Sequence, residues 1–287
     1  MLRFNFLMKK LTVGKMFRVL TALLLSSLLS IDALAARFVV LAPDLTENMF
    51  AIGAGESVVG RVEAADFPSE VVTIPVVGDF QSINAELILS LQPDYVLAWQ
   101  GGNPERHLQY LEGLGLNVVR LSSQSILDLP EQLRLLGELS GQVDVANARA
   151  IEFETELQGL SEGRKGRNLP LFYQIWHSPL MTINSSSWIT EAITYCGGLN
   201  LFADRAEAVP QLTVESIISA NPKLIIAGSG ADQSWVEFWK PWSMIDAVAN
   251  NQLNTVEADY LHRLTMRTLL GMEQLCQAID AAAEVYQ

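Results

Sequence analysis

The chain has 287 residues, 49% hydrophobic and 18% charged, a balance that excludes wholesale disorder and suits one large or two small domains. Its 32 acidic residues outnumber 19 Lys and Arg, for a formal charge of −13. An acidic chain repels phosphate backbones, so nucleic acid is not an expected partner.

The first segment departs from this acidic character. Lys9, Lys10, Lys15 and Arg18 precede the apolar run 19–25, and small residues follow to Ala33-Leu34-Ala35. A basic region, an apolar stretch and an A-x-A ending mark residues 1–35 as a secretory signal peptide, with Met8 or Met16 as alternative starts. A membrane anchor fits less well, because the run is short and Asp32 interrupts it. No Cys lies near the cleavage site, so lipid attachment is not expected there. Cleavage near Ala35 removes five positive charges (Arg3, Lys9, Lys10, Lys15, Arg18) and one negative (Asp32), which takes −13 to −17. The expected product is an exported, soluble chain beginning near Ala36.

Short apolar runs predict strands at 38–41, 95–98, 118–121, 171–173 and 224–227. They are continuous rather than alternating, as strands buried on both faces are. Helical spacing lies between and after them, for example over 129–139 and 269–283. Strands alternating with helices imply an α/β fold with mostly parallel sheets.

An internal repeat divides the chain. Glu86, a helical pattern, Pro93 and an apolar strand recur as Glu215, a helical pattern, Pro222 and an apolar strand, both pairs 129 residues apart. A weaker pair matches Glu47 to Gly53 with Glu191 to Gly197. The reading is two Rossmann-like lobes, 36–141 and 167–287. A single linker helix over 142–166 joins them, apolar at Ala146, Ala150, Phe153 and Leu157 and ended by Gly163 and Gly166. One rigid helix between lobes limits their relative motion. Cys196 and Cys276 read as one disulfide in an oxidising compartment, with two separate buried thiols as the alternative.

No G-x-S-x-G elbow, P-loop or H-E-x-x-H motif is present, so the sequence offers no enzyme reading beyond an unsupported secreted enzyme. His107, His177 and His262 are scattered, and no metal site is predicted from them.

Further motifs are Leu41-Ala42-Pro43 with Thr46-Glu47, Asp66-Phe67-Pro68, Trp99-x-Gly101-Gly102-Asn103-x-Glu105-Arg106, Cys196-Gly197-Gly198 and Gln274-Leu275-Cys276. With these the chain resembles the periplasmic binding proteins whose lobes are joined by a helix, which serve importers for vitamin B12, haem and iron-siderophores. The tryptophan-glycine stretch and the paired cysteines resemble the B12 subgroup most.

The resemblance implies a monomer without a cofactor that holds cobalamin or a related corrinoid as cargo in the inter-lobe cleft. It implies ligand contacts from Trp99, Phe80, Asp259, Arg263 and Trp176, with Gly101 letting backbone approach the ligand. It also implies that Glu86 and Glu215 dock into arginine pockets on the membrane permease subunits of an ABC importer. Both glutamates open predicted helices, where a carboxylate is favoured anyway, so ordinary helix starts are the competing explanation. The subgroup's tyrosine around Ala64-Ala65 and its tryptophan at Val209 are absent here. Haem or an iron-siderophore is the rival cargo, with Tyr260 or His262 available as an axial ligand for haem.

Overall fold

A computed structural model describes residues 36–79, 81–229 and 234–287. The expected signal peptide, 1–35, lies outside the described residues. The first lobe runs β1 (Phe38–Val40), α1 (Pro43–Ala51), β2 (Val58–Val62), β3 (Val76–Gly78), α2 (Ala85–Ser90), β4 (Tyr95–Trp99), α3 (Glu105–Gly113), β5 (Val118–Leu121) and α4 (Asp128–Ser140). Its five strands pair in the order β3-β2-β1-β4-β5, all parallel.

The linker helix α5 spans Val143–Ser161. That is shorter than the expected 142–166, because the chain turns over Glu162–Gly166 with left-handed glycines at 163 and 166. The helix packs back on α4, where a Cβ on Gly137 would fall 2.3 Å from the Ala146 methyl, so the two axes approach more closely than any larger residue allows.

The second lobe contains β6 (Leu169–Gln174), a small hairpin of β7 (Trp176–His177) and β8 (Leu180–Met181), α6 (Trp188–Tyr195), β9 (Gly198–Asn200), α7 (Val214–Ala220), β10 (Leu224–Ser229), α8 (Ser234–Trp239), α9 (Asp246–Ala249), β11 (Leu253–Glu257), α10 (Ala258–His262) and α11 (Thr268–Val285). Its parallel sheet has the order β11-β10-β6-β9. That matches β5-β4-β1-β2 of the first lobe, so the second sheet repeats the first without a counterpart of β3.

Burial explains the continuous apolar strands. Phe38 and Val40 face one core while Val39 faces another; Leu171 and Tyr173 face the first core while Phe172 faces a third. Each sheet is therefore covered on both faces. The inner core is shared: Phe38 and Leu97 of the first lobe, Phe153 and Leu157 of α5, and Leu171, Ile226 and Met272 of the second belong to one buried cluster. Cys196 and Cys276 form the disulfide, S–S 2.03 Å, tying the end of α6 to α11. Arg164, just past the linker, adds a 2.7 Å ion pair to Asp280 of α11.

The repeat is reproduced in backbone detail. The side chain of Asn84 caps α2 by accepting from the Leu87 N–H, and that of Thr213 caps α7 by accepting from the Ser216 N–H. After each helix a left-handed residue, Gln92 (φ 48°) or Asn221 (φ 45°), precedes the proline and the strand. In the weaker pair, Gly53 and Gly197 share a φ of 81° just beyond α1 and α6. No helix among the described residues is long and apolar enough to cross a membrane.

Candidate functional site: the cleft between the lobes

Ligands of parallel α/β sheets sit beyond the carboxyl ends of the strands. Trp99 is the last residue of β4 and is 42% exposed. Its loop is pinned from beneath: the Trp99 backbone N–H donates to Asn103 Oδ1 at 2.7 Å, and Asn103 Nδ2 donates to the Leu41 carbonyl at 2.9 Å.

The two glycines of this loop differ in their surroundings. Gly101 has a φ of 89° with open space around it, so it serves the turn. A Cβ on Gly102 would lie 1.8 Å from Trp99 Cε3, so the space it vacates is filled by the loop's own indole and not by a ligand. Trp176 begins β7 at the end of β6 and is 62% exposed, its indole N–H donating to the Ser178 carbonyl at 2.9 Å. Phe80 lies outside the described residues.

The structure brings Asp259 and Arg263 together and adds partners that sequence reading left without a role. Arg263 Nη1 donates to Glu47 Oε1 at 3.0 Å and to Asp66 Oδ1 at 2.6 Å, both in the first lobe, and Nη2 lies 3.4 Å from Asp259 Oδ1. Arg267 grips the same Glu47 with Nε at 2.9 Å and Nη2 at 2.5 Å, and its guanidinium lies 4.0 Å from the Phe67 ring centroid. Bidentate pairs of this kind are directional and strong. Glu47 is 4% exposed, so its charge is tolerated only because two guanidiniums meet it. The Arg263 hydrogen bond holds the Asp66 carboxyl below its usual range.

Asp44, the second residue of α1, behaves in the opposite way. Burial pushes its pKa up to about 6, against the lowering effect of backbone N–H groups at the helix start and reinforced by neighbouring Glu47.

Glu191, the repeat counterpart of Glu47, also crosses between lobes. It accepts from the Ser125 hydroxyl and the Ile126 N–H, both at 2.9 Å. Its partners are neutral where those of Glu47 are ionic. The signal for Glu47 was in the sequence, as one half of the weaker repeat; nothing near Arg267 marked it as a partner 220 residues away.

His262 Nε2 lies 3.1 Å from the Tyr173 hydroxyl. Packing against Tyr173 partly desolvates the ring and lowers its pKa, opposed by Asp259, although the side chain still reaches solvent. Tyr260 lies 5.4 Å from the Arg267 guanidinium. Among the described residues no group of three or more His, Cys, Asp or Glu could hold a metal ion.

Glu86 and Glu215 are both exposed, each the second residue of its capped helix. The helix backbone at Glu215 itself and the Thr213 side chain hold the Glu215 carboxyl below its ordinary pKa. Glu86 borders a cavity of about 650 Å³ whose wall includes Val76, Asp79 and Tyr110.

Comparison with known proteins bears on the family and the fold. A vitamin B12-binding protein of Vibrio vulnificus is 32% identical over 267 residues, 91% of this chain and 97% of that protein. The crystal structure of the periplasmic vitamin B12 binding protein BtuF of Vibrio cholerae superimposes with a TM-score of 0.81 at 32% identity, covering 86% of this chain and 98% of that one. The periplasmic haem-binding protein RhuT from Roseiflexus shares the fold, with a TM-score of 0.75 at 23% identity over 87% of this chain and 99% of that one. The periplasmic binding protein profile matches residues 38–260, and the chain belongs to that family.

Proposed function

We propose that the chain captures a cobalamin-type corrinoid in the cleft between its lobes and presents it to the permease subunits of an ABC importer. The observation that carries this reading is the pair of exposed tryptophans at strand ends, Trp99 in the first lobe and Trp176 in the second. Large flat rings bind by stacking on such faces, and polar groups at the edge fix their orientation. A corrin carries amides around its rim, and Asp259 and Arg263 offer acceptors and donors for them. The relatives named vitamin B12-binding protein, matched over nearly their whole length, support the same cargo. Phe80 joins the site on its sequence position. Gly101 contributes through the turn that carries Trp99.

A haem reading finds less support. The His262 Nε2 is engaged with the Tyr173 hydroxyl. In this proposal the chain acts in the periplasm, after loss of residues 1–35, as a monomeric carrier that leaves its ligand chemically unchanged. Glu86 and Glu215 meet arginines of the permease, one from each lobe.

Titration calorimetry with cyanocobalamin at micromolar concentrations tests the cargo. Saturable one-to-one heat is expected. No heat with cyanocobalamin, together with tight binding of haemin, would replace the ligand and keep the fold.

A further inference from the structure

We infer that the ion cluster at the cleft edge makes this site select macrocycles with neutral amide rims over macrocycles with carboxylate rims, with Asp66 and Asp259 as the specificity-determining residues. The inference rests on the proposed ligand class and sharpens it.

The cluster holds four carboxylates, Asp44, Glu47, Asp66 and Asp259, against two guanidiniums, Arg263 and Arg267. Acid exceeds base whether or not Asp44 carries its proton. Both guanidiniums are already engaged. Arg263 Nη1 is shared by Glu47 and Asp66, Nη2 faces Asp259, and Nε and Nη2 of Arg267 are held by Glu47. An arginine alone at a cleft edge would attract a ligand carboxylate. An arginine that three carboxylates have claimed does not.

An incoming carboxylate has to displace Asp66 or Asp259 from Arg263 and then lie beside the acid it displaced. Like charges brought together in a partly desolvated site are unfavourable. A primary amide meets no such penalty. Its N–H groups are donors that the carboxylates of Asp66 and Asp259, 63% and 47% exposed at the side chain, accept without leaving Arg263. No net charge is added. The distinction separates two classes of large flat ligand, since a corrin rim bears primary amides and a haem rim bears propionates.

The test compares ligands within one protein, so that any effect of a substitution on folding cancels. Calorimetry at pH 8 is run with cyanocobalamin and with each of its isolated monocarboxylate isomers, in which one rim amide has been hydrolysed. For the wild-type chain at least one isomer, the one whose acid faces the cluster, should bind tenfold or more weaker than the parent. In Asp66→Asn with Asp259→Asn that gap should shrink to threefold or less. Should the double variant lose cyanocobalamin binding, Asp66→Asn alone carries the comparison, because its side chain is the more exposed of the two. Tight cyanocobalamin binding with every isomer within threefold of it overturns the selectivity and leaves the corrinoid assignment standing. A tenfold gap that persists in the Asn variants overturns the role given to these two acids. Absence of cyanocobalamin binding beside tight haemin binding overturns the inference and the assignment together.

Discussion

Asp44→Asn should stabilise this protein at neutral pH and above. Asp44 is 8% exposed, and burial raises its pKa from the ordinary 3.8 to about 6. A carboxyl whose pKa rises on folding favours the folded state only while protonated. Its stability contribution is complete below about 3.9, the pKa in the unfolded chain, and is lost as pH rises through about 6. At about 1.4 kcal/mol per pH unit between those values, the folded state at pH 8 forgoes about 3 kcal/mol and at pH 5 about half of that. Asparagine keeps the side-chain oxygen that faces the helix N–H groups and removes the charge. Urea unfolding followed by tryptophan fluorescence should show Asp44→Asn more stable by about 3 kcal/mol at pH 8 and by about 1.5 kcal/mol at pH 5. A variant less stable than wild type at pH 8, or a difference that does not change between the two pH values, would show that the Asp44 carboxylate is held favourably and would refute the argument.

Trp99→Ala removes a ring about two-fifths exposed; at about 25 cal/mol per Å² over about 100 Å² of ring surface, cyanocobalamin binding should weaken by roughly 2.5 kcal/mol, close to seventyfold by calorimetry. Glu86→Lys with Glu215→Lys should abolish corrinoid uptake in a reconstituted importer while calorimetric affinity stays within threefold; undiminished uptake would remove the docking role. Glu47→Gln takes from Arg267 the buried carboxylate that its Nε and Nη2 both hold and should cost about 3 kcal/mol in urea unfolding. Glu191→Gln, whose partners are neutral, should cost only about 1 kcal/mol, and equal costs would contradict the asymmetry of the two crossings.

The two-lobed α/β fold was legible because its determinants are local and occur twice. A capping side chain, a helix, a left-handed residue, a proline and an apolar strand specify one turn of chain, and their recurrence 129 residues later needs no three-dimensional knowledge. Strands β2, β3, β9 and β11 escaped detection since they are short or interrupted by Gly, Asn or Arg, and owe their place to the neighbour they pair with. The linker helix was drawn too long because composition carries past Ser161, while the glycine turns at 163 and 166 act on the backbone. At the proposed site, Trp99 was singled out by its motif, and Asp259 and Arg263 by the family resemblance. What Arg263 does was not, because its partners Glu47 and Asp66 lie 216 and 197 residues upstream and only folding sets them against it. That Gly102 makes room for the Trp99 indole was not legible either, because spacing does not show which side chain folds over a glycine.

That last contact has a consequence for the proposed binding cycle. The indole of Trp99 lies where Gly102 leaves space for it, above a loop fastened through Asn103 to the chain just past β1. A side chain that must be frozen on association costs roughly 0.5–1.5 kcal/mol at every encounter. Here the freezing happens once, when the chain folds. Under the proposed function the stacking face stays set from one ligand to the next, so each encounter is spared that cost.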